Sequence, residues 1–317
     1  RMPQDGRVTM AVDGREIDLR LVTLPTTQGE ALVVRILDRS SGLLDIEELG
    51  FLPETLARYR SCYRRPWGAV LATGPTGSGK STTLYAALSE LNGPQRNIVT
   101  VEDPVEYHLP GVKQVQVNRK AGLAFAGALR SIMRADPDVL LVGEIRDKET
   151  ATIAVEAALT GHLVLSTLHA NDAASTPARL LDMGVEPFLV TSALTGVLAQ
   201  RLVRKLCEVC KEPYVPDRDE LTAAGWDDLV AGTVGTARFH RAVGCTRCGR
   251  SGYRGRFAIH EVMPVNEELA HLILTHASSE VVRDLAVRQG MTTLRQDGLL
   301  RVGSGLTTFE ELLRVVV

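Results

Sequence analysis

An α/β fold with a parallel central sheet is what this sequence predicts, and three observations carry that reading. Apolar strand-like runs alternate with helical patterns between residues 66 and 206, the pattern of a sheet whose ligand sits at the carboxyl ends of its strands. Gly74-Pro75-Thr76-Gly77-Ser78-Gly79-Lys80-Ser81-Thr82 fits G-x-x-x-x-G-K-[ST] without a mismatch. The strand-like run Ala69–Thr73 precedes it and the helical pattern Thr83–Leu91 follows, which is the context a phosphate-binding loop requires. Two further strand signals, Asn97–Asp103 and Val139–Glu144, end on carboxylates at the same predicted edge. The loop therefore reads as a nucleoside triphosphate site. Its glycines let backbone N–H groups surround the phosphates, and the helix N-terminus adds a favourable partial charge. Lys80 would neutralise the β- and γ-phosphates of ATP, and the Ser81 hydroxyl would ligate Mg²⁺.

At 317 residues, 44% hydrophobic and 23% charged, the chain has the composition of an ordinary globular protein with room for two or three domains. A net charge of -2 gives no bulk electrostatic support for a nucleic-acid partner. No apolar run approaches the roughly 18 residues that cross a bilayer, and no secretory leader is visible. The expectation is a cytoplasmic protein with no direct membrane span. Because the chain opens on Arg1 within a strand-rich pattern, it also reads as a fragment of a longer protein.

Taken in order, residues 1–38 form an expected β-rich domain. Val8–Val12 and Ile17–Val22 alternate around an Asp13-Gly14 turn, a hairpin signal, and Ala31–Leu37 is a third strand. Arg20 and Arg35 lie inside these strands; on their own they read as edge charges or a solvated face. Residues 39–65 combine a Ser-Ser-Gly linker with a lead-in helix from Pro53 to about Tyr63, where Cys62 reads as a small packed apolar residue. The ATPase core is assigned to 66–206, with helices at Phe125–Arg134 and Lys148–Thr160, an exposed strand at Val112–Val117 and a strand at Leu163–Thr167. Helical patterns are then expected over Ala173–Met183 and Phe188–Ala199. A cysteine-bearing subdomain, 207–258, and a small helical one, 259–317, complete the chain.

ATP hydrolysis needs a metal, a carboxylate to align water and positive charge for the transition state. Glu102 and Glu144 compete for the base role. Glu144 ends the short apolar strand where a metal-side acid belongs. Glu102 ends the strand after the phosphate-loop helix, which in a RecA-like sheet can lie beside the phosphate-loop strand; it is favoured as base. His162 and His169 bracket one strand, and seven residues at ~3.3 Å each separate them by about 23 Å. Both cannot touch one γ-phosphate: His169, at the ligand edge, is the candidate sensor, and His162 reads as structural or as a subunit contact. Cys207-x-x-Cys210 and Cys245-x-x-Cys248, 34 residues apart, have the spacing of a four-thiolate Zn²⁺ site. Four thiolates leave no open position, so the metal would be a folding staple.

Together these residues resemble the secretion ATPase family of type II secretion and type IV pilus assembly. Pro3–Arg7 resembles its N-terminal signature, Val101–Glu106 its aspartate box, Asp136–Asp147 its atypical Walker B and Gly161–Asn171 its histidine box. With the phosphate loop, that makes five motifs in order over essentially the whole chain. The resemblance implies a RecA-like homohexamer hydrolysing ATP at subunit boundaries, with an N-terminal domain that swings against the core. It also implies a partner, the inner-membrane platform protein, which would hold the motor peripherally at that membrane. Arg20 and Arg35 match family arginines that reach the nucleotide. Gly143 stands where a Walker-B aspartate usually precedes the glutamate, which leaves direct metal ligation to Ser81 and water. The cysteine tetrad points to the assembly rather than the retraction branch. A nucleic-acid translocase on the same core is the alternative, but it would need a basic or aromatic channel, and only 4% of residues are aromatic. A nucleotide-gated adaptor without hydrolysis is disfavoured by Glu102.

Overall fold

The computed structural model describes residues 2–38, 44–226 and 237–316. Residues 39–43 of the expected linker and 227–236 of the expected cysteine subdomain lie outside the described residues. The chain divides into two compact units, Arg1–Leu44 and Asp45–Val317.

The first unit is an antiparallel sheet of Gln4–Val12 (β1), Arg15–Thr26 (β2) and Gly29–Asp38 (β3), in that order. Asp13 and Gly14 both take positive φ, 50° and 76°, as a tight hairpin turn requires. The register sets Arg7 opposite Arg20 and Arg20 opposite Arg35, so three arginines stand abreast on one face. Like charges directly opposite one another repel. Asp18, 1% exposed, offsets part of that cost: Arg7 Nε lies 2.8 and 2.9 Å from its two carboxylate oxygens, and Arg20 Nε is 3.9 Å away.

The second unit is organised by a seven-stranded sheet. Its strands are Gly68–Thr73 (β4), Ile98–Glu102 (β5), Lys113–Gln116 (β6), Val139–Val142 (β7), Leu163–Leu168 (β8), Leu194–Leu206 (β9) and Tyr253–Pro264 (β12). Between β9 and β12, the two-residue strands Glu212–Pro213 (β10) and His240–Arg241 (β11) pair beside the cysteines. The order is β12-β9-β4-β8-β7-β5-β6; all pairings are parallel except β12 on β9. Strands β4, β5, β7 and β8 are buried along their whole length, as sheets covered on both faces are. Helices Pro53–Tyr63 (α1), Lys80–Leu91 (α2), Phe125–Ile132 (α3), Lys148–Leu159 (α4), Thr176–Asp182 (α5) and Pro187–Ala193 (α6) connect or cover them. The core is a RecA-like α/β domain.

The structure departs from the sequence expectations in three places. The helical pattern over Phe188–Ala199 stops at Ala193, and Leu194–Leu206 is the strand β9. A short, mostly apolar run such as Leu194–Ala199, interrupted by Thr195 and Gly196, carries no period that separates a buried strand from a buried helix. Nor does β5 lie beside the phosphate-loop strand: β8 and β7 stand between β4 and β5. Strand order is fixed by which crossovers pack, which local pattern does not encode. The sheet also continues past residue 206, because β12 returns antiparallel along β9.

Beyond β12, helices Glu267–Leu274, Ser279–Arg288, Leu294–Gly303 and Phe309–Val315 form the C-terminal layer. Glu311 pins the last of them to β9: its fully buried carboxylate accepts from Arg204 N at 2.9 Å, Arg204 Nε at 2.8 Å and Arg314 Nη2 at 2.7 Å. Burial pushes this carboxyl up, but the bonds from Arg314 and Arg204 outweigh it and hold it down at about 2. With its folded value below the ordinary one, Glu311 contributes stability above about pH 4.5 that disappears as the pH falls toward 2. Glu311→Gln should destabilise at neutral pH by about 2–3 kcal/mol and flatten the loss of stability through that acid window. Denaturant midpoints measured across it check both effects; an unchanged profile would remove Glu311 from the account.

Candidate active site

The phosphate loop, residues 74–79, joins the buried strand β4 to the N-terminus of α2. Pro75, Thr76 and Gly77 are exposed at its rim, as is Ser81 on the first helical turn, with Thr82 partly covered beside it. Lys80 is buried and folds back over the loop, donating to Gly74 O at 2.7 Å and Pro75 O at 3.0 Å. Burial lowers its pKa, partly opposed by the nearby Glu144 carboxylate. At the neighbouring strand end, Thr73 Oγ1 accepts from Ala170 N at 2.8 Å and donates to Ala170 O at 3.1 Å. That clamp sets the histidine-bearing loop against the phosphate loop.

His169 bridges the two. Its Nδ1 lies 3.2 Å from Gly74 O and its Nε2 2.9 Å from Glu144 Oε1. The other Glu144 oxygen pairs with Arg146 Nη2 at 2.6 Å. A cavity of about 300 Å³ opens here, lined by Glu144, Ile145, Arg146, His169, Arg179 and Met183. His162, at the opposite end of β8, bonds Ala157 O at 2.9 Å and stays with the C-terminus of α4. The structure thus brings Lys80, Glu144 and His169 together and leaves His162 out.

Glu102 sits elsewhere on the edge. It is 5% exposed, and both oxygens are engaged: Oε2 accepts from the Tyr85 hydroxyl, and Oε1 from Thr100 Oγ1 and, at 3.3 Å, Gln114 Nε2. Tyr85 lies on α2, one and a half turns from Lys80, so the phosphate-loop helix itself holds this acid. Gly143 explains how Glu102 and Glu144 share adjacent strand ends. A Cβ on Gly143 would stand 3.2 Å from both Glu102 Cα and Val101 O, a tight contact that the β5 backbone would have to yield to. Arg20 and Arg35 belong to the first unit, where they are register partners.

Sequence reasoning passed over several residues that shape this edge. Glu261, buried on β12, accepts from Ala173 N at 2.8 Å and Leu294 N at 3.1 Å, and Asp172 pairs with Arg283. The loop after His169 is thereby tied to the C-terminal helices. A lone acid on an apolar strand carried no motif that could have flagged it.

The cysteines converge as their spacing predicts. Sγ atoms of Cys207, Cys210, Cys245 and Cys248 all lie within 4.8 Å of one another, with Cys207–Cys245 and Cys210–Cys248 each at 3.9 Å. Four thiolates at 2.3 Å from one Zn²⁺ would be ~3.8 Å apart. Cys245 N and Gly252 N donate to Cys248 Sγ at 3.1 and 3.3 Å, and these bonds, Cys245's foremost, pull its thiol down to about 6. Donors aimed at sulfur and a tetrahedral edge length both fit a Zn²⁺ ion.

Residues 1–314 match the family described as "Type II/IV secretion system protein". The chain belongs to that family. Among its members, the type IV pilus assembly ATPase PilB of Thermus thermophilus is 51% identical over 313 residues, covering 99% of this chain and 35% of the relative. The type II secretion system protein HxcR of Pseudomonas aeruginosa is 51% identical over 315 residues, covering 99% of this chain and 62% of its own. This chain therefore spans between about a third and two-thirds of those relatives. Among solved structures, the pilus retraction motor PilT with bound ADP superposes with a TM-score of 0.69 at 27% identity, over 99% of this chain and 78% of that one. No helix among the described residues is long and apolar enough to cross a membrane.

Proposed function

We propose that this chain is the ATP-hydrolysing part of a hexameric motor that drives assembly of a type IV pilus or a type II secretion pseudopilus. The observation that carries the proposal is the convergence of Lys80, Glu144 and His169 on one phosphate loop at the carboxyl edge of the sheet. In this reading the loop amides and Lys80 bind the phosphates. Ser81 and Glu144 would hold Mg²⁺, Glu144 through water, because both of its oxygens already have side-chain partners, Arg146 and His169. When bound, Mg²⁺ would supply positive charge that offsets the charge of the phosphates. His169 reports the γ-phosphate, since any anion entering near Lys80 competes for the groups that His169 now ties together.

Glu102 takes the role of base toward the attacking water. To do so its carboxylate exchanges one of its present partners for water. Glu102→Gln should therefore lower phosphate release by at least about 10²-fold while ATP still binds; turnover within twofold of the parent would transfer the base role to Glu144. Arg20 and Arg35 supply positive charge to the transferring phosphate from the N-terminal unit, so domain closure depends on ATP. The motion passes to an inner-membrane platform protein, which keeps the motor at the cytoplasmic face of that membrane. Sixfold rings in native mass measurements, and phosphate release that rises with protein concentration, test the assembly; a monomer hydrolysing at full rate would defeat it.

A further inference from the structure

Two glycines of the phosphate loop have the same neighbour. A Cβ on Gly74 would stand 2.5 Å from Gln200 O, and one on Gly79 would stand 2.7 Å from Gln200 Nε2. Neither approach leaves room for a side chain. Gln200 lies on β9, one residue past Ala199, which pairs with Thr73 at the end of β4, and it is 2% exposed. Its amide is used at both ends: Nε2 donates to Ser78 O at 2.8 Å, and Oε1 accepts from Thr83 Oγ1 at 2.7 Å. Ser78 O fixes which end of the amide faces it, because a carbonyl can only accept and so selects Nε2, which leaves Oε1 for the hydroxyl of Thr83, fully buried on α2. Arg201 Nη1 donates to Gln200 O at 3.1 Å and braces the same segment against Gly74.

We propose that Gln200 is a positioning residue for phosphate binding, holding the Ser78–Gly79 peptide so that the Gly79 N–H faces the nucleotide. The C=O and N–H of a trans peptide point in opposite directions. With Ser78 O anchored on β9, the Gly79 N–H must point away from the sheet and toward the loop's open side. Without the anchor the peptide plane is free to rotate about the neighbouring glycine bonds, and the loop would offer its carbonyl to an anion as readily as its N–H. The preorganised amide spares the bound state that ordering cost. Gln200 touches no phosphate itself; it acts through the loop.

The inference rests on the loop being a nucleotide site, and its test separates the two. Affinities for ADP and for adenosine, which has no phosphate, are measured by calorimetry on the parent chain and on Gln200→Leu, Gln200→Glu and Thr83→Val. The leucine variant removes both bonds, and the glutamate variant keeps the Thr83 acceptor but replaces the donor to Ser78 O with an oxygen. Both should bind ADP about tenfold more weakly, the worth of one or two hydrogen bonds, and adenosine within twofold of the parent. Thr83→Val, which only loosens the amide, should cost about threefold. Nucleotide-free thermal melts identify which variants fold, and the isosteric valine variant keeps the test available if the others do not. Folded variants that bind ADP like the parent, or that lose adenosine equally, overturn the inference alone. A parent chain that binds no ADP overturns the nucleotide-site reading and this inference together.

Discussion

Glu144→Gln is expected to suppress steady-state phosphate release by about 10³-fold while leaving ATP affinity within a few-fold of the parent. The substitution keeps the side chain's shape but removes the charge that faces His169, Arg146 and, more distantly, Lys80. Arg146 and Lys80 then lose their common counter-charge, His169 loses its carboxylate partner, and a bound Mg²⁺ would lose its acid. Lys80→Ala should be the more damaging change, because Lys80 Nζ is the buried cation nearest the loop and its loss removes binding as well as turnover. The split between the two variants is the informative result. Equal loss of affinity in both would mean that Glu144 shapes the loop rather than the reaction, and full turnover in both would eliminate hydrolysis at this site.

Removal of the Zn²⁺ that the cysteine tetrad would hold is expected to be the second large effect. Structural zinc contributes on the order of 10 kcal/mol to the fold that binds it. Cys207 N bonds Gly252 O at 2.9 Å, closing the knuckles at the ends of β9 and β12. Nearby, Trp226 packs edge-on against Phe239 and Phe309 at centroid distances of 4.9 and 6.0 Å. Trp226 is 1% exposed and the other tryptophan, Trp67, is 49% exposed, so indole emission reports mainly on this cluster. Chelation, or Cys248→Ser, should release one zinc per chain, shift the emission to the red and lower the melting temperature. Metal analysis that finds no zinc in the purified chain, or emission that ignores the chelator, would leave the tetrad without its ion.

How much of this was legible in the sequence depended on whether the signal was local. The phosphate loop, its strand and its helix were readable because glycine spacing and flanking apolar runs sit within a short window. The tetrad was readable because paired cysteines declare themselves by spacing. Strand β9 was not, since the mostly apolar Leu194–Ala199 continues the helical pattern before it and is made a strand by its neighbours β4 and β12. The placement of Glu102 failed for a related reason: its local pattern fixed the end of a strand, while its distance from Lys80 depends on β8 and β7 coming between. Gln200, Tyr85 and Glu261 were silent because each acts through a partner more than a dozen residues away.

The Asp172–Arg283 pair and the buried Glu261 have a mechanical consequence. Asp172 lies three residues beyond His169 and pairs with Arg283, so in the proposed cycle a shift of the histidine would be felt at the helix Ser279–Arg288. Glu261 anchors the start of the neighbouring helix Leu294–Gly303 to the same loop. The C-terminal layer is therefore fastened to the histidine-bearing loop, and in the proposed motor Arg283→Ala is expected to leave ATP turnover in place while weakening what that turnover drives.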